Sequence, residues 1–131
     1  MFIKVSLNSS ELLYEQIKNQ VISGILKGTL TPGYSLPSIR NLSKELGISI
    51  ITVKKAYEEL ESMGYIFTRP VKGSFISPDA YELARALRLK EIKEGFTKIL
   101  SDCKSIGLED LDIMELFQRT LNDKIGGRSY E

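Results

Sequence analysis

Apolar residues recur every three or four positions through most of this chain. In the first stretch Leu13 or Tyr14, Ile17, Val21 and Ile25 form one stripe. That spacing predicts a helix opening after Ser9 or Ser10, either of which can cap it, and running to about Lys27, where Gly28 stops it. The opening "MFIKVSLNSS" reads as a short extended segment and then a loop. "LTPGYSLP" breaks the period, because Pro32 presets φ for the second position of a turn and Gly33 permits positive φ at the third. A second, short helix is predicted from about Pro37 to Leu46. Pro37 is tolerated in the first turn, Ile39, Leu42 and Leu46 point one way, and Gly47 ends the helix. Ser49 then caps a third helix that reaches about Met63, with Gly64 just beyond.

After Gly64 the pattern changes. "YIFT" and "SFIS" are rich in β-forming residues and flank "RPVKG", whose Pro and Gly suit a hairpin tip. Ser77-Pro78-Asp79 opens a fourth helix reaching about Ile106. In it Leu89, Ile92, Phe96, Ile99 and Cys103 are spaced alternately three and four apart, the seam of a coiled-coil-like contact. Gly107 stops it. A fifth helix covers about Glu109 to Lys124, with Leu111, Met114, Phe117 and Leu121 on one face, and "GGRSYE" reads as a frayed tail. Two short helices joined by a turn of about three residues containing Gly make a helix-turn-helix. The expected fold is therefore mainly α with a small β-hairpin: a winged helix-turn-helix domain at 1–77, followed by a two-helix C-terminal dimerisation region at 78–131.

Composition narrows the function. The chain has 131 residues and no histidine, which removes the commonest general base and the commonest transition-metal ligand. No phosphate-binding loop is visible, and these absences argue against an enzyme. Its one cysteine, Cys103, cannot form an internal disulfide, and a reducing cytoplasm is the natural setting. Its seam position suits a small core residue better than a redox sensor. No apolar run approaches membrane-spanning length, so no membrane partner is expected. Asp79, Glu109, Asp110 and Asp112 could suggest a metal site. First-turn acids are explained by the helix dipole, so neither metal nor cofactor is expected. The net charge of +1 hides an imbalance. Residues 1–77 carry nine Lys/Arg against six Asp/Glu, and residues 78–131 carry nine against eleven. A basic front and an acidic back fit a nucleic-acid module with an assembly module behind it.

The third helix carries the sharpest chemical signal, in "LGISIITVKKAY". With Val53 as reference, Ala56, Tyr57 and Leu60 fall within about 60° of it and form the core face. Ile51, Lys55 and Glu58 point away, with Thr52 and Lys54 on the flanks. In a helix-turn-helix the outward face of the second helix enters the DNA major groove. There an isoleucine can contact the C5-methyl of thymine, and Lys54 and Lys55 can pair with phosphates or guanine edges. The competing reading is a solvated lysine face with a stray surface isoleucine.

"GYSLPSIRNLSKELGISIITVKKAYEELESMGYIFTRPVKGSFIS" resembles the DNA-binding domain of the GntR family of bacterial transcription regulators, and "YEQIKNQVISGILKGTL" matches that family's first helix. The two-helix tail looks like the short YtrA-type branch. The resemblance implies DNA contacts at Arg40 of "PSIR", at Ser49, Ile50, Ile51, Thr52 and Lys54, and at Gly73 of the wing; Ser38, Lys55, Arg69 and Lys72 are further DNA-contact candidates. Two departures stand out. Ile50 and Ile51 replace the Arg, Pro, Asn or Thr common in relatives, and Val71 replaces the first wing glycine. For Arg40 the competing reading is a local salt bridge, and for Arg69 and Lys72 a solvated hairpin.

The expected function is a sequence-specific, DNA-binding transcription regulator, a repressor that binds a palindromic double-stranded operator as a homodimer. Leu89, Ile92, Phe96, Ile99 and Cys103 would form the dimer interface. The alternatives are an effector-gated sensor with a small-molecule site at that interface and a winged-helix protein-interaction module. No particular effector is indicated.

Overall fold

The computed structural model describes residues 3–9 and 11–125. The elements are α1 (Leu13–Lys27), α2 (Ile39–Leu46), α3 (Ile50–Ser62), β1 (Ile66–Arg69), β2 (Gly73–Ile76), α4 (Ala80–Ser105) and α5 (Asp110–Thr120), with a π-helical turn at Leu121–Ile125. The fold is mainly helical with one antiparallel hairpin, as the hydrophobic pattern indicates. Two compact units divide between Arg88 and Leu89.

The first unit is built on α1 and α3. Ile17 and Val21 of α1, Val53 and Leu60 of α3 and Ile76 of β2 are its largest fully buried side chains. The sequence pattern places a division at 77/78. Ala80 and Ala84, in the first turns of α4, belong to the same core, so this unit extends to Arg88. Small side chains there let the helix lie close on the core.

Helix starts differ from expectation where side-chain hydroxyls compete for the backbone. The residue capping α1 is Leu12, with no side-chain cap, while the Ser9 hydroxyl accepts a hydrogen bond from the Glu11 amide in the preceding turn. Ser10, the other expected cap, lies outside the described residues, as does the expected frayed tail. For α2, Ser38 is the cap and its hydroxyl accepts from the Asn41 amide at 3.0 Å. Pro37 thus precedes the helix rather than occupying its first turn.

Two features tie the chain together over long sequence distances. Segment 33–36 runs beside the hairpin. The Gly33 amide donates to Ile76, the Ile76 amide to Tyr34, and the Leu36 amide to Ser74, at 2.8, 3.0 and 2.9 Å. The hairpin is thereby anchored directly before α2. Near the N-terminus, the buried Gln16 amide group accepts from the Ser6 amide and donates to the Ser6 and Glu11 carbonyls. Gln20 exchanges a similar pair of bonds with the Lys4 backbone. Both glutamines act as surrogate strand partners, and the buried Gln16 amide is thereby satisfied.

The second unit begins at Leu89. Gly107 takes φ 86°, and the Leu108 amide donates to the Cys103 carbonyl, which closes the end of α4. The Asp112 carboxylate accepts from the Glu109 amide at the start of α5. Asp110 accepts from the Lys104 ammonium, which holds its carboxyl below the usual range. The Phe96 and Phe117 rings meet edge to face at 6.2 Å. α5 ends at Thr120, and the chain then widens into the π-helical turn rather than continuing as α-helix to Lys124.

Candidate nucleic-acid interface

The turn between α2 and α3 is locked by its own sequence. Gly47 takes φ 69°, a left-handed conformation that favours glycine. Ser43 is buried beneath it. Its hydroxyl donates to the Ile48 carbonyl, and its own carbonyl accepts from the amides of Gly47 and Ile48. Ser49 then caps α3, accepting from the Thr52 amide at 3.1 Å, with the two hydroxyls 2.8 Å apart. α3 is thus presented at an angle that a rigid three-residue turn sets.

On α3 the predicted core face is buried: Val53, Ala56, Tyr57 and Leu60. Ile51 is 78% exposed and Ile50 46%. Ile51, Lys54, Lys55, Glu58, Glu59 and Ser62 line one open, shallow depression on the outer side of the helix. Lys54 is exposed with no ion pair among the described residues. Lys55 differs. Its ammonium sits 4.1 Å from the centroid of the Tyr14 ring on α1, a cation–π contact that holds it over the α1–α3 junction. Next to it Lys18 bonds Glu59 at 2.8 Å, which raises the Lys18 pKa above its ordinary value.

Arg40 is exposed on α2 and forms no ion pair among the described residues, so the local salt bridge weighed for it is not made. Ser38 and Ser49 spend hydroxyl capacity on capping, and the Thr52 hydroxyl is hydrogen-bonded to that of Ser49. A hydroxyl keeps further donor and acceptor capacity for an outside ligand. In the hairpin, Arg69 pairs with Gly73 in register, and its guanidinium lies 5.5 Å from the Phe67 ring centroid. Lys72 is exposed at the tip. Ser38, Arg40, Ser49, Ile50, Ile51, Thr52, Lys54, Lys55, Arg69, Lys72 and Gly73 all lie in the first unit.

Sequence reasoning missed two contributors. Tyr14 was a candidate core residue, yet its ring receives Lys55. Tyr57 was assigned to the core, but its hydroxyl also donates to the Pro37 carbonyl at 2.6 Å. The available signal for Tyr57 was chemical, since a buried phenol needs a hydrogen-bond partner.

The bacterial regulatory proteins of the gntR family match residues 13–76. HTH-type transcriptional regulator Rv1152 of Mycobacterium tuberculosis is 33% identical over 93% of this chain and 96% of its own. HTH-type transcriptional repressor YtrA of Bacillus subtilis is 34% identical over 96% and 97%. The chain belongs to the gntR family. A gntR-family transcriptional regulator from Listeria monocytogenes, 26% identical, superposes with a TM-score of 0.67 over 86% of this chain and 98% of its own. This gntR-family chain is accordingly a DNA-binding transcription regulator, and its hairpin is the wing of a winged helix-turn-helix. Among the described residues, no helix is long and apolar enough to cross a membrane.

Proposed function

We propose that this regulator is a cytoplasmic repressor that binds a two-fold symmetric operator as a homodimer. The first unit binds DNA, with α3 in the major groove and Ile51 against a thymine methyl. Arg40 and Lys54 hold phosphates or guanine edges, and Arg69, Lys72 and Gly73 bring the wing to the duplex. The second unit joins the two copies.

One observation carries the homodimer. Leu89, Ile92, Phe96 and Ile99 of α4 are about half exposed, and Leu111, Met114 and Phe117 of α5 are as exposed or more so. Seven large apolar side chains open to water on two neighbouring helices make a patch of the kind that partners cover. A second copy of the same face supplies a self-complementary cover, and a C2 dimer meets a two-fold operator. Cys103, the fifth residue expected at the interface, is buried within its own chain. The similarity to a transcriptional repressor of B. subtilis supports repression as the sign of control.

Sedimentation at micromolar concentration, with a reporter fused to the chain's selected target site, tests this reading. A dimer and a reporter that rises when the gene is deleted are expected. A monomer ends the assembly reading, and a reporter that falls ends the repressor reading.

A further inference from the structure

The tip of the wing holds a conformation that its residue disfavours. The Lys72 amide donates to the Arg69 carbonyl at 3.1 Å, closing a four-residue turn. Pro70 takes the second position, and Val71 takes the third with φ 72°. Positive φ at the third position after proline is the type II pattern, and that position normally belongs to glycine or asparagine. A β-branched residue there is a genuine outlier. Val71 is the one non-glycine residue with positive φ among the described residues. Its side chain is fully exposed, so no contact within the chain offsets the strain. Residues held in sparsely populated conformations cluster where function uses them.

The surroundings indicate the use. Arg69 and Lys72 flank the exposed isopropyl group, and Gly73, at φ 113°, carries the chain back into β2. The tip is thus one apolar side chain between two cations on a narrow turn. Duplex DNA offers a matching surface in its minor groove, which is about 6 Å wide and too narrow for a helix. Its walls are apolar sugar faces, its potential is most negative where A·T pairs narrow it, and apolar side chains wedge into it.

We propose that Val71 is a specificity-determining residue, a strained apolar tip that enters the DNA minor groove and favours A·T pairs there. This rests on the first unit being the DNA-binding part. The isopropyl group contacts the sugar walls, and the 2-amino group of guanine obstructs it at the groove floor.

The test uses the full chain and a duplex selected by the wild-type protein from a random pool. V71G and V71N both relieve the strain and remove the isopropyl group. Each should melt a few degrees higher, by about 2–5 °C, and should bind the selected duplex roughly tenfold more weakly. Footprinting of wild type against V71G locates the base pairs beneath the tip. Changing those pairs from A·T to G·C should weaken wild type and leave V71G unaffected. Inosine·C, which lacks the guanine amino group, should restore wild-type binding. If both variants bind as tightly as wild type, or if inosine·C fails to restore binding, the assignment is overturned. A wild-type chain that selects no duplex at all removes the underlying DNA reading and this inference with it, and that outcome is distinguishable before any variant is made.

Discussion

The Tyr57 hydroxyl, on the buried side of α3, donates a 2.6 Å hydrogen bond to the carbonyl of Pro37, the residue just before the α2 cap. One bond therefore links the proposed recognition helix to the entry of the helix that carries Arg40. Burial pushes the phenol's pKa above its ordinary value. Tyr57→Phe leaves the Pro37 carbonyl without this partner and should cost about 1–2 kcal/mol of stability near neutral pH. The pH dependence has a definite sign. A phenol whose pKa is raised by folding contributes stability that is fully present below about pH 10, and it is lost as the pH rises from there toward the raised folded value. Denaturant midpoints measured from neutral pH upward should therefore fall less steeply above about pH 10 in Tyr57→Phe than in wild type. Parallel curves would show that the phenol is not buried as described.

The two adjacent lysines should behave differently. Lys54 is exposed and forms no ion pair among the described residues, whereas Lys55 is held over Tyr14. Lys54→Ala should weaken DNA binding across all sequences and reduce the salt slope by about one. Arg40→Ala should cost about 1–3 kcal/mol of DNA binding with little change in melting temperature. Lys55→Ala should lower stability by about 0.5–1 kcal/mol through the lost cation–π contact and change the salt slope less than Lys54→Ala does. Titrations over a range of salt concentrations, set beside thermal melts, separate the three. Equal salt slopes for the two lysine variants would mean that Lys55 leaves Tyr14 for a phosphate.

Much of this was legible because it is local. Ser49, Gly47 and the Val53, Ala56, Tyr57 and Leu60 face follow from capping, positive φ and helical periodicity, all within one element and its ends. The DNA-facing candidates were legible as the complement of that core. What escaped depends on partners far along the chain. Segment 33–36 pairs with residues 74–76, so its extended form could not be read from "LTPGYSLP" alone. Gln16 and Gln20 looked like ordinary polar positions until the N-terminal segment lay against them. The division at Arg88 escaped because Ala80 and Ala84 look like neutral helix formers, and only the tertiary core makes them buried. Val71 was visible as a departure from the family pattern, but its left-handed backbone was not.

The exposed α4 seam yields a direct assembly prediction. Phe96 is half exposed and meets Phe117 edge to face. Phe96→Asp would place a carboxylate in the proposed interface, where burying an unpaired charge costs several kcal/mol. Sedimentation should show dimers for wild type and monomers for the variant at the same concentration, with the helical content of both unchanged. A variant that remains dimeric would move the interface elsewhere.

In the proposed complex the outward face of α3 reads DNA through Ile51. Its core neighbours Val53, Ala56, Tyr57 and Leu60 leave Ile51 unburied by its own chain. Against a thymine methyl both apolar groups leave water together. The decisive measurement is a cycle: wild type and Ile51→Ala, each titrated against the selected duplex and against the same duplex with uracil in place of the contacted thymine. Uracil removes only the methyl. Wild type is expected to lose about 1 kcal/mol on that replacement, Ile51→Ala to lose a similar amount on the thymine duplex, and the two losses not to add. Equal sensitivity of wild type and Ile51→Ala to uracil would contradict this reading.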